Sequence, residues 1–240
     1  MAATQGLAVE WLGRVPYAEG LALQERRIEA RRRGAAPDAL LLLEHPPVIT
    51  LGRRGREEHV LAPAAALAAR GIEVHRVTRG GDATYHGPGQ LVGYLVADLA
   101  ARGEADAGAL LRRIEAALVA ALGDLGVEGY TRPGQTGVFA APGAPGPARK
   151  VASIGVGLRG WISWHGFALN VTLDPAAFEL IVPCGLRDVA MTSLARELGA
   201  AAPADLEERT RRAVALRFAA AFPAPIVSPR AARSASLPTR

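Results

Sequence analysis

The order of strand-like and helical patterns along the chain constrains its fold more than any other feature. Short apolar or β-branched runs predict strands at residues 7–12, 39–43, 48–51, 72–77, 91–97, 137–140, 150–158, 161–164 and 166–173. Helical periodicity predicts helices at residues 16–33, 63–70, 105–125, 191–198 and 205–222. The two kinds of element do not alternate strictly, and no segment repeats. The pattern therefore predicts an α/β (α+β) fold with a mixed central sheet flanked by helices, not a barrel of repeated βα units.

The chain is long enough to bury one large core. It has 240 residues, of which 50% are hydrophobic. Such a chain has ample apolar surface for a single globular domain. We expect one domain over residues 1–222. A disordered tail is predicted over residues 223–240, where Pro, Ser, Ala and Arg predominate.

Targeting patterns are absent from the sequence. The first residues lack the basic stretch followed by an apolar stretch that is typical of a signal peptide, and no run of about 20 apolar residues predicts a membrane span. A single cysteine excludes an internal disulfide, which fits a reducing compartment. We therefore expect a cytoplasmic protein with no membrane partner.

The net charge of +5 is modest and dispersed. It can steer an acidic partner toward the surface, or it can serve solubility alone. The basic residues form no stripe interleaved with aromatic side chains, so we expect no nucleic-acid partner.

Lys150 is the only lysine among the 28 Lys and Arg residues. Arg keeps its proton near neutrality, whereas Lys can take part in proton transfer. In a chain that uses Arg at every other basic position, Lys150 is a candidate acid/base group. A stray surface lysine in an Arg-biased chain explains this residue equally well when it is considered by itself.

Cys184 is the only cysteine and lies between Pro183 and Gly185. These neighbours predict a tight turn that exposes the thiol. A thiolate is a strong nucleophile, although a lone cysteine is more often a small buried apolar residue. Cys184 and Lys150 both lie beside glycine-rich segments, and together they form a candidate nucleophile and proton carrier.

Residues 79–90 read Arg-Gly-Gly-Asp-Ala-Thr-Tyr-His-Gly-Pro-Gly-Gln. The four glycines and the proline predict an irregular backbone instead of a regular element. Glycines let backbone N–H groups approach a ligand closely, and Arg79 and His86 add side-chain donors. This segment predicts a cradle for an anion or a carbonyl oxygen. Its spacing is that of neither a P-loop nor a dinucleotide fingerprint.

A fourth segment, residues 163–171, places His165 and Gly166 before an apolar run that can wall an acyl pocket. His165 can orient a substrate or bond to the backbone, and we favour the structural role for its imidazole. The remaining histidines lack metal-ligand spacing, so we expect no metal and no cofactor.

Four segments occur in the order seen in lipoyl(octanoyl) transferases, which the chain resembles over about residues 7–222. They are residues 79–90, 150–155, 164–171 and 183–185. The first of these and the later Lys and Cys are the most specific. Two features depart from the family pattern: the loop at residues 142–147 is longer than usual, and the Arg-rich tail has no assigned role.

The resemblance implies a mixed-sheet fold like the catalytic domain of biotin and lipoate protein ligases. It implies transfer of octanoate from octanoyl-acyl carrier protein to a lysine of lipoyl domains, in 2-oxoacid dehydrogenase E2 subunits and the glycine cleavage H protein, as the first step of endogenous lipoylation. It also implies an acyl-thioester on Cys184, with Lys150 as acid/base and no ATP. The substrate contacts that it implies come from Arg79, Gly80, Gly81, Asp82, Ala83, Thr84, Tyr85 and His86, from Ser153, Ile154 and Gly155, and from Gly166, Phe167 and Ala168.

Two other functions remain open from the residues. An ATP-dependent lipoate or biotin ligase of the same fold would use Lys150 to bind an acyl-adenylate and would need no cysteine. A binding module would hold the acyl carrier protein or a lipoylated partner without chemistry. The sole cysteine in Pro-Cys-Gly favours the transferase.

Overall fold

The computed structural model describes residues 6–182 and 188–224. Within this part of the chain, the larger sheet has the strand order β1-β2-β6-β10-β9-β8-β7, and β11 pairs with β9. Its strands are β1 (Ala8–Arg14), β2 (Ala39–Glu44), β6 (Gln90–Val96), β7 (Gly129–Arg132), β8 (Gln135–Ala140), β9 (Ala148–Arg159), β10 (Ile162–Asn170) and β11 (Val189–Met191). The β1–β2 and β9–β11 pairs are parallel and the other pairs are antiparallel, so the sheet is mixed, as predicted.

A smaller sheet has the order β4-β3-β5, formed by β3 (Val48–Leu51), β4 (Glu73–Arg76) and β5 (Ala83–His86). The helices are α1 (Tyr17–Arg32), α2 (Ala64–Ala69), α3 (Ala107–Asp124), α4 (Leu194–Leu198) and α5 (Leu206–Ala221). Short 3₁₀ turns occupy Glu57–His59, Pro175–Leu180 and Gly199–Ala201.

The main core lies between one face of the larger sheet and helices α3 and α5. Leu40 and Leu42 of β2 pack there with Leu110, Ile114 and Leu118 of α3. These α3 residues recur at the helical spacing that predicted the helix, and the side chain of Asp106 caps its first turn. Burying each such side chain stabilises the fold by about 1.5–3 kcal/mol.

The opposite face of the larger sheet is also covered. Leu41 and Leu43 alternate with Leu40 and Leu42 along β2, so they point to this opposite face. There they pack with Val15, which precedes α1, and with Leu23 of α1. Because both faces are buried, strand β2 is apolar throughout. This is why its sequence shows a continuous run of leucines instead of alternation.

Several sequence predictions were wrong in detail. Residues 79–90 are not irregular throughout, because Ala83–His86 forms strand β5 by pairing with β3. Strand β7 was not predicted. Residues 189–191 form strand β11, and the helix predicted from residue 191 begins at Leu194. For β5 and β11 a partner strand from elsewhere in the chain determines the local conformation, whereas β7 pairs with the strand β8 that follows it directly.

Strand β10 is continuous where two strands were predicted. The break was expected at His165, which has a positive φ of +56°, and the next residue, Gly166, has a φ of +154°. Pairing with β9 and β6 carries the strand through this irregularity.

The predicted loop at residues 142–147 is a loop in the structure. In residues 6–182 and 188–224, no helix combines the length and the apolar character needed to cross a membrane. The domain boundary at residue 222 and the disordered tail remain predictions, and residues 225–240 lie outside the described chain.

Candidate active site

A cavity of about 250 Å³ is enclosed by residues of both sheets and of helix α1. It brings together most of the residues predicted from the sequence, although they come from three separate segments. Those that line it are Arg79, Gly81, Asp82, Ala83, Thr84, His86, Lys150, Ser153, Ile154, Gly155, Gly166, Phe167 and Ala168.

Two predicted residues do not line the cavity. Along β5, alternation directs the side chains of Thr84 and His86 to one face and that of Tyr85 to the other. Tyr85 packs against Phe178 in the core of the smaller sheet, with ring centroids 6.1 Å apart. Gly80 joins the sheets instead, because its N–H donates to the carbonyl of Val156 over 2.9 Å.

Arg79 is buried and anchors the glycine-rich loop to the smaller sheet. One of its terminal nitrogens donates to both the backbone oxygen and the hydroxyl of Thr50, each over 2.8 Å. The other donates to the Gly80 carbonyl over 3.1 Å. The guanidinium thus brings a fixed positive charge to the cavity wall.

The backbone of this loop is held by a second turn of the chain. The N–H groups of Arg53 and Arg54 donate to the carbonyls of Arg79 and Gly81, each over 3.0 Å. The side chain of Asp82 lies 2.6 Å from His59 Nδ1 and accepts from the N–H of Ala83. These contacts hold the loop against the neighbouring turn.

The hydrogen bonds of His86 identify which of its two ring nitrogens carries the proton. Its Nδ1 lies 2.7 Å from Gln90 Oε1, whose amide nitrogen donates to the Tyr85 carbonyl and to Asn170. Nδ1 must therefore donate, which leaves Nε2 as an acceptor. Burial, with a smaller contribution from His45, lowers the pKa of His86 to about 3.

Lys150 is buried, with 3% of its surface exposed, and its side chain reaches the cavity from strand β9. Its Nζ donates to the carbonyl of Thr136 over 2.9 Å and lies 5.8 Å from the centre of the Phe139 ring. An ammonium group has three donors, so this single bond leaves capacity for a ligand. A buried lysine that faces a cavity is not the stray surface residue that was the alternative.

Cys184 lies outside the described residues, but the flanks of its segment are described. On one side, the N–H of Val182 donates to the carbonyl of His59 over 2.8 Å. On the other, Met191 of β11 pairs with Lys150 of β9. The C-terminal flank of residues 183–187 is therefore paired with the cavity-lining strand β9, and the N-terminal flank is bonded to His59, which contacts the cavity-lining residue Asp82.

Eight lining residues were missed as site residues by sequence reasoning: Tyr17, Arg54, Val92, Tyr94, Gly134, Gln135, Thr136 and His165. Tyr94 carried a weak signal, since a tyrosine in a strand buried on both faces needs a partner for its hydroxyl. We favour a structural role for the ring of His165 from the sequence, and the structure places this residue among those that line the cavity. The others carried no distinguishing signal.

The arrangement provides a buried amine, a fixed cation and neutral imidazoles around a partly apolar space. Val92, Ile154, Phe167 and Ala168 supply the apolar wall. Over the described residues, no group of three or more His, Cys, Asp or Glu side chains is placed to hold a metal ion. Such a site suits an acyl group whose polar end meets Lys150.

Comparison with known proteins agrees with this geometry. The family model of the lipoyl protein ligase A/B catalytic domain matches residues 16–220. An octanoyltransferase of Acidobacterium capsulatum is 50% identical over 193 residues, which cover 78% of each chain. An octanoyltransferase of Myxococcus xanthus is 47% identical over 218 residues, which cover 90% of this chain and 59% of that protein.

Among solved structures, a bipartite lipoate protein ligase from Thermoplasma acidophilum has the same fold. It superposes with a TM-score of 0.66 at 18% identity and covers 94% of this chain and 89% of its own. The fold, the match of the family model and the sequence identities agree. The chain therefore belongs to the lipoyl protein ligase A/B catalytic-domain family and, within that family, to the octanoyltransferases.

Proposed function

We propose that this protein transfers an octanoyl group from octanoyl-acyl carrier protein to a lysine of a lipoyl domain, through a thioester on Cys184. The observation that carries the proposal is the position of Lys150. The only lysine of the chain is buried and borders a partly apolar cavity, with spare N–H groups. The names of the relatives, octanoyltransferases at 47–50% identity, support the choice of acyl group.

In the first step, the Cys184 thiolate attacks the thioester carbonyl of the donor. A bond forms between Cys184 Sγ and the carbonyl carbon, and the bond from that carbon to the carrier's sulfur breaks. The departing sulfur takes a proton from the Lys150 ammonium, which becomes a neutral amine. One thioester replaces another, so the step is close to balanced and needs no ATP.

In the second step, the neutral amine of the acceptor lysine attacks the same carbonyl carbon. The new C–N bond replaces the bond to Cys184 Sγ, which leaves as a thiolate. The proton that the amine loses passes to Lys150 and restores its ammonium form. One group thus gives a proton in the first half-reaction and takes one in the second, as acid/base catalysis requires.

Both steps develop negative charge on the carbonyl oxygen, which backbone N–H groups can stabilise. In the glycine-rich loop, the N–H groups of Gly80 and Ala83 are already bonded to Val156 and Asp82. The N–H groups of Gly81 and Asp82 are therefore our candidates for the oxyanion contact. The fixed charge of Arg79 adds to the positive potential there.

The acceptors that we propose are lipoyl domains of 2-oxoacid dehydrogenase E2 subunits and the glycine cleavage H protein. Because these acceptors and the acyl carrier protein share one reaction, the protein must bind two partners in turn at the mouth of one cavity. We expect the reaction in the cytoplasm, in keeping with a chain that has a single cysteine.

The test combines purified protein, octanoyl-acyl carrier protein and an apo lipoyl domain, without ATP, and measures intact masses. We expect the acceptor to gain one octanoyl group. Without acceptor, the protein itself should gain the same mass, and the Cys184→Ser variant should not. Transfer that requires free octanoate and ATP would identify a ligase, and binding of the donor without any mass change would identify a binding module.

A further inference from the structure

Two polar residues, His165 and Tyr94, line the cavity at strand positions away from Lys150. On β10, Ala168 pairs with Ser153 of β9, whereas His165 pairs with Val156, farther along β9 from Lys150. Among the residues of β10 that line the cavity, His165 is therefore the one whose partner on β9 is farthest along the strand from Lys150. Tyr94, which lines the cavity beside it, is also buried.

The backbone holds His165 in one orientation. Its φ of +56° is uncommon for any residue but glycine, and its N–H donates to the side chain of Gln24 over 2.7 Å. The imidazole stacks on Trp164 with ring centroids 4.2 Å apart. Strained backbone of this kind persists where the surroundings impose it, and it is concentrated at functional sites.

The ring of His165 has an unmet hydrogen-bonding group. Its Nε2 is buried and has no partner among the residues that the structure describes. Burial, with a smaller contribution from Arg79, lowers the pKa of His165 to about 3, so the ring is neutral at neutral pH. A neutral nitrogen calls for a hydrogen-bond partner from the cavity and not for a counter-ion.

Tyr94 offers a complementary acceptor. His45 Nδ1 lies 2.7 Å from the carbonyl of Val15 and must donate to it, so His45 Nε2 accepts from the Tyr94 hydroxyl over 2.6 Å. The proton of Tyr94 therefore points away from the ligand. Its oxygen retains a lone pair for a donor in the cavity.

We propose that His165 and Tyr94 form a tail subsite, which binds a hydroxyl near the end of a medium-chain acyl group. The protein would then accept hydroxylated acyl thioesters as well as the unsubstituted octanoyl thioester. This inference rests on the acyl transfer proposed above. A hydroxyl has one proton and two lone pairs, so it can accept from a protonated Nε2 while it donates to the Tyr94 oxygen, or it can donate to an unprotonated Nε2 instead.

The first experiment compares transfer from octanoyl-carrier and 8-hydroxyoctanoyl-carrier to the apo lipoyl domain. We expect wild-type protein to use both donors. In His165→Phe, which keeps an aromatic ring on Trp164, the ratio of kcat/KM for the hydroxylated donor to that for octanoyl should fall roughly tenfold, the effect of one buried hydrogen bond. His165→Gly tolerates the positive φ and should lower the same ratio if the Phe variant does not fold.

The second experiment measures binding without turnover, so it remains decisive if the proposed transfer fails. Calorimetry with octanoate and 8-hydroxyoctanoate measures the affinity for each acid. In the His165 variants the affinity for 8-hydroxyoctanoate relative to octanoate should fall by a similar factor. Val92→Ala is the matched control, because it enlarges the cavity at an apolar residue. It should weaken both acids by a similar factor and leave their ratio unchanged.

The tail subsite is overturned if the ratio between the hydroxylated and the unsubstituted chain does not depend on the imidazole of His165. An unchanged ratio in His165→Phe and His165→Gly would do so, as would wild-type protein that neither transfers nor binds the hydroxylated chain. A fall in the ratio for Val92→Ala as large as that for His165→Phe would assign the effect to cavity volume instead. Octanoyl transfer by the wild type tests the proposed function separately.

Discussion

The side chain of Lys150 occupies the space that a Cβ atom on Gly137 would need. Such an atom would lie 2.5 Å from Lys150 Cε and 3.0 Å from Nζ, and also 2.6 Å from the backbone oxygen of Ala152. Gly137 has a φ of +132°, and its N–H donates to Glu115 over 3.0 Å. The absence of a side chain at this position is what lets the lysine reach the carbonyl of Thr136 and the cavity.

Gly137→Ala should displace Lys150 and reduce transfer by roughly 10²-fold, as expected when a catalytic group is moved by about 1 Å. Gly146→Ala is the matched control: its φ is also positive, at +92°, but nothing lies within 4 Å of the new atom. Steady-state kinetics and thermal unfolding of both variants separate a local effect from backbone strain. Equal rates for the two alanine variants would contradict this role of Gly137.

Lys150→Arg separates charge from proton transfer. Guanidinium keeps its proton near neutrality, so an acid/base role predicts that Lys150→Arg is about as damaging as Lys150→Ala, with a loss of roughly 10²–10⁴-fold in kcat. Thermal unfolding should be measured alongside, because Arg is larger than Lys in a buried position. A folded Lys150→Arg protein with near wild-type kcat would limit Lys150 to an electrostatic role.

Cys184→Ser should abolish transfer and leave the fold intact, because a hydroxyl is a far weaker nucleophile without a dedicated base. Far-ultraviolet circular dichroism checks the fold, and intact mass checks for the acyl group after incubation with donor. Hydroxylamine should remove the added mass from the wild type, as it does for thioesters. Undiminished activity of the serine variant would end the covalent mechanism.

Arg79→Ala should lower stability and donor binding together. It removes two hydrogen bonds from a charged group to Thr50, so we expect a loss of about 2 kcal/mol in the free energy of unfolding and an increase in KM for the donor. Arg53→Ala is the control, because this exposed side chain lies on the neighbouring turn and its backbone bond to Arg79 is retained. Equal stability of the two variants would contradict the anchoring role.

Three buried histidines make stability depend on pH. Burial lowers the pKa of His45 to about 4 and those of His86 and His165 to about 3, below the value near 6.5 of an exposed histidine. Below about pH 6.5 the unfolded chain binds protons that the folded chain does not. Stability is therefore complete above this value and decreases as the pH falls toward the folded pKa values.

Each of these histidines contributes a slope of up to about 1.4 kcal/mol per pH unit inside this window. Urea unfolding of wild type and His45→Gln at several values between pH 6 and pH 5 should show a shallower dependence for the variant. Identical slopes would mean that folding does not lower the pKa of His45.

Much of the fold follows from local patterns. Helix α3 follows from apolar residues at helical spacing, and β2 from a run of five apolar residues short enough for a buried strand; the structure buries both sets. Strands β5 and β11 were missed or misassigned, because glycine-rich or short segments become strands only when a distant partner strand supplies the hydrogen bonds. Strand β7 was missed because it is only four residues long, although its partner β8 follows it directly.

The sequence by itself determined the candidates for chemistry. Lys150 and Cys184 are each the only residue of their type, and the glycine-rich loop at residues 79–90 has a composition that a regular element would not need. Tertiary structure decided which side chains share the cavity. It placed Tyr17, Tyr94 and His165 there and turned Tyr85 away, because strand pairing and alternation set the direction of each side chain. These relations join segments far apart in the chain, and no local pattern encodes them.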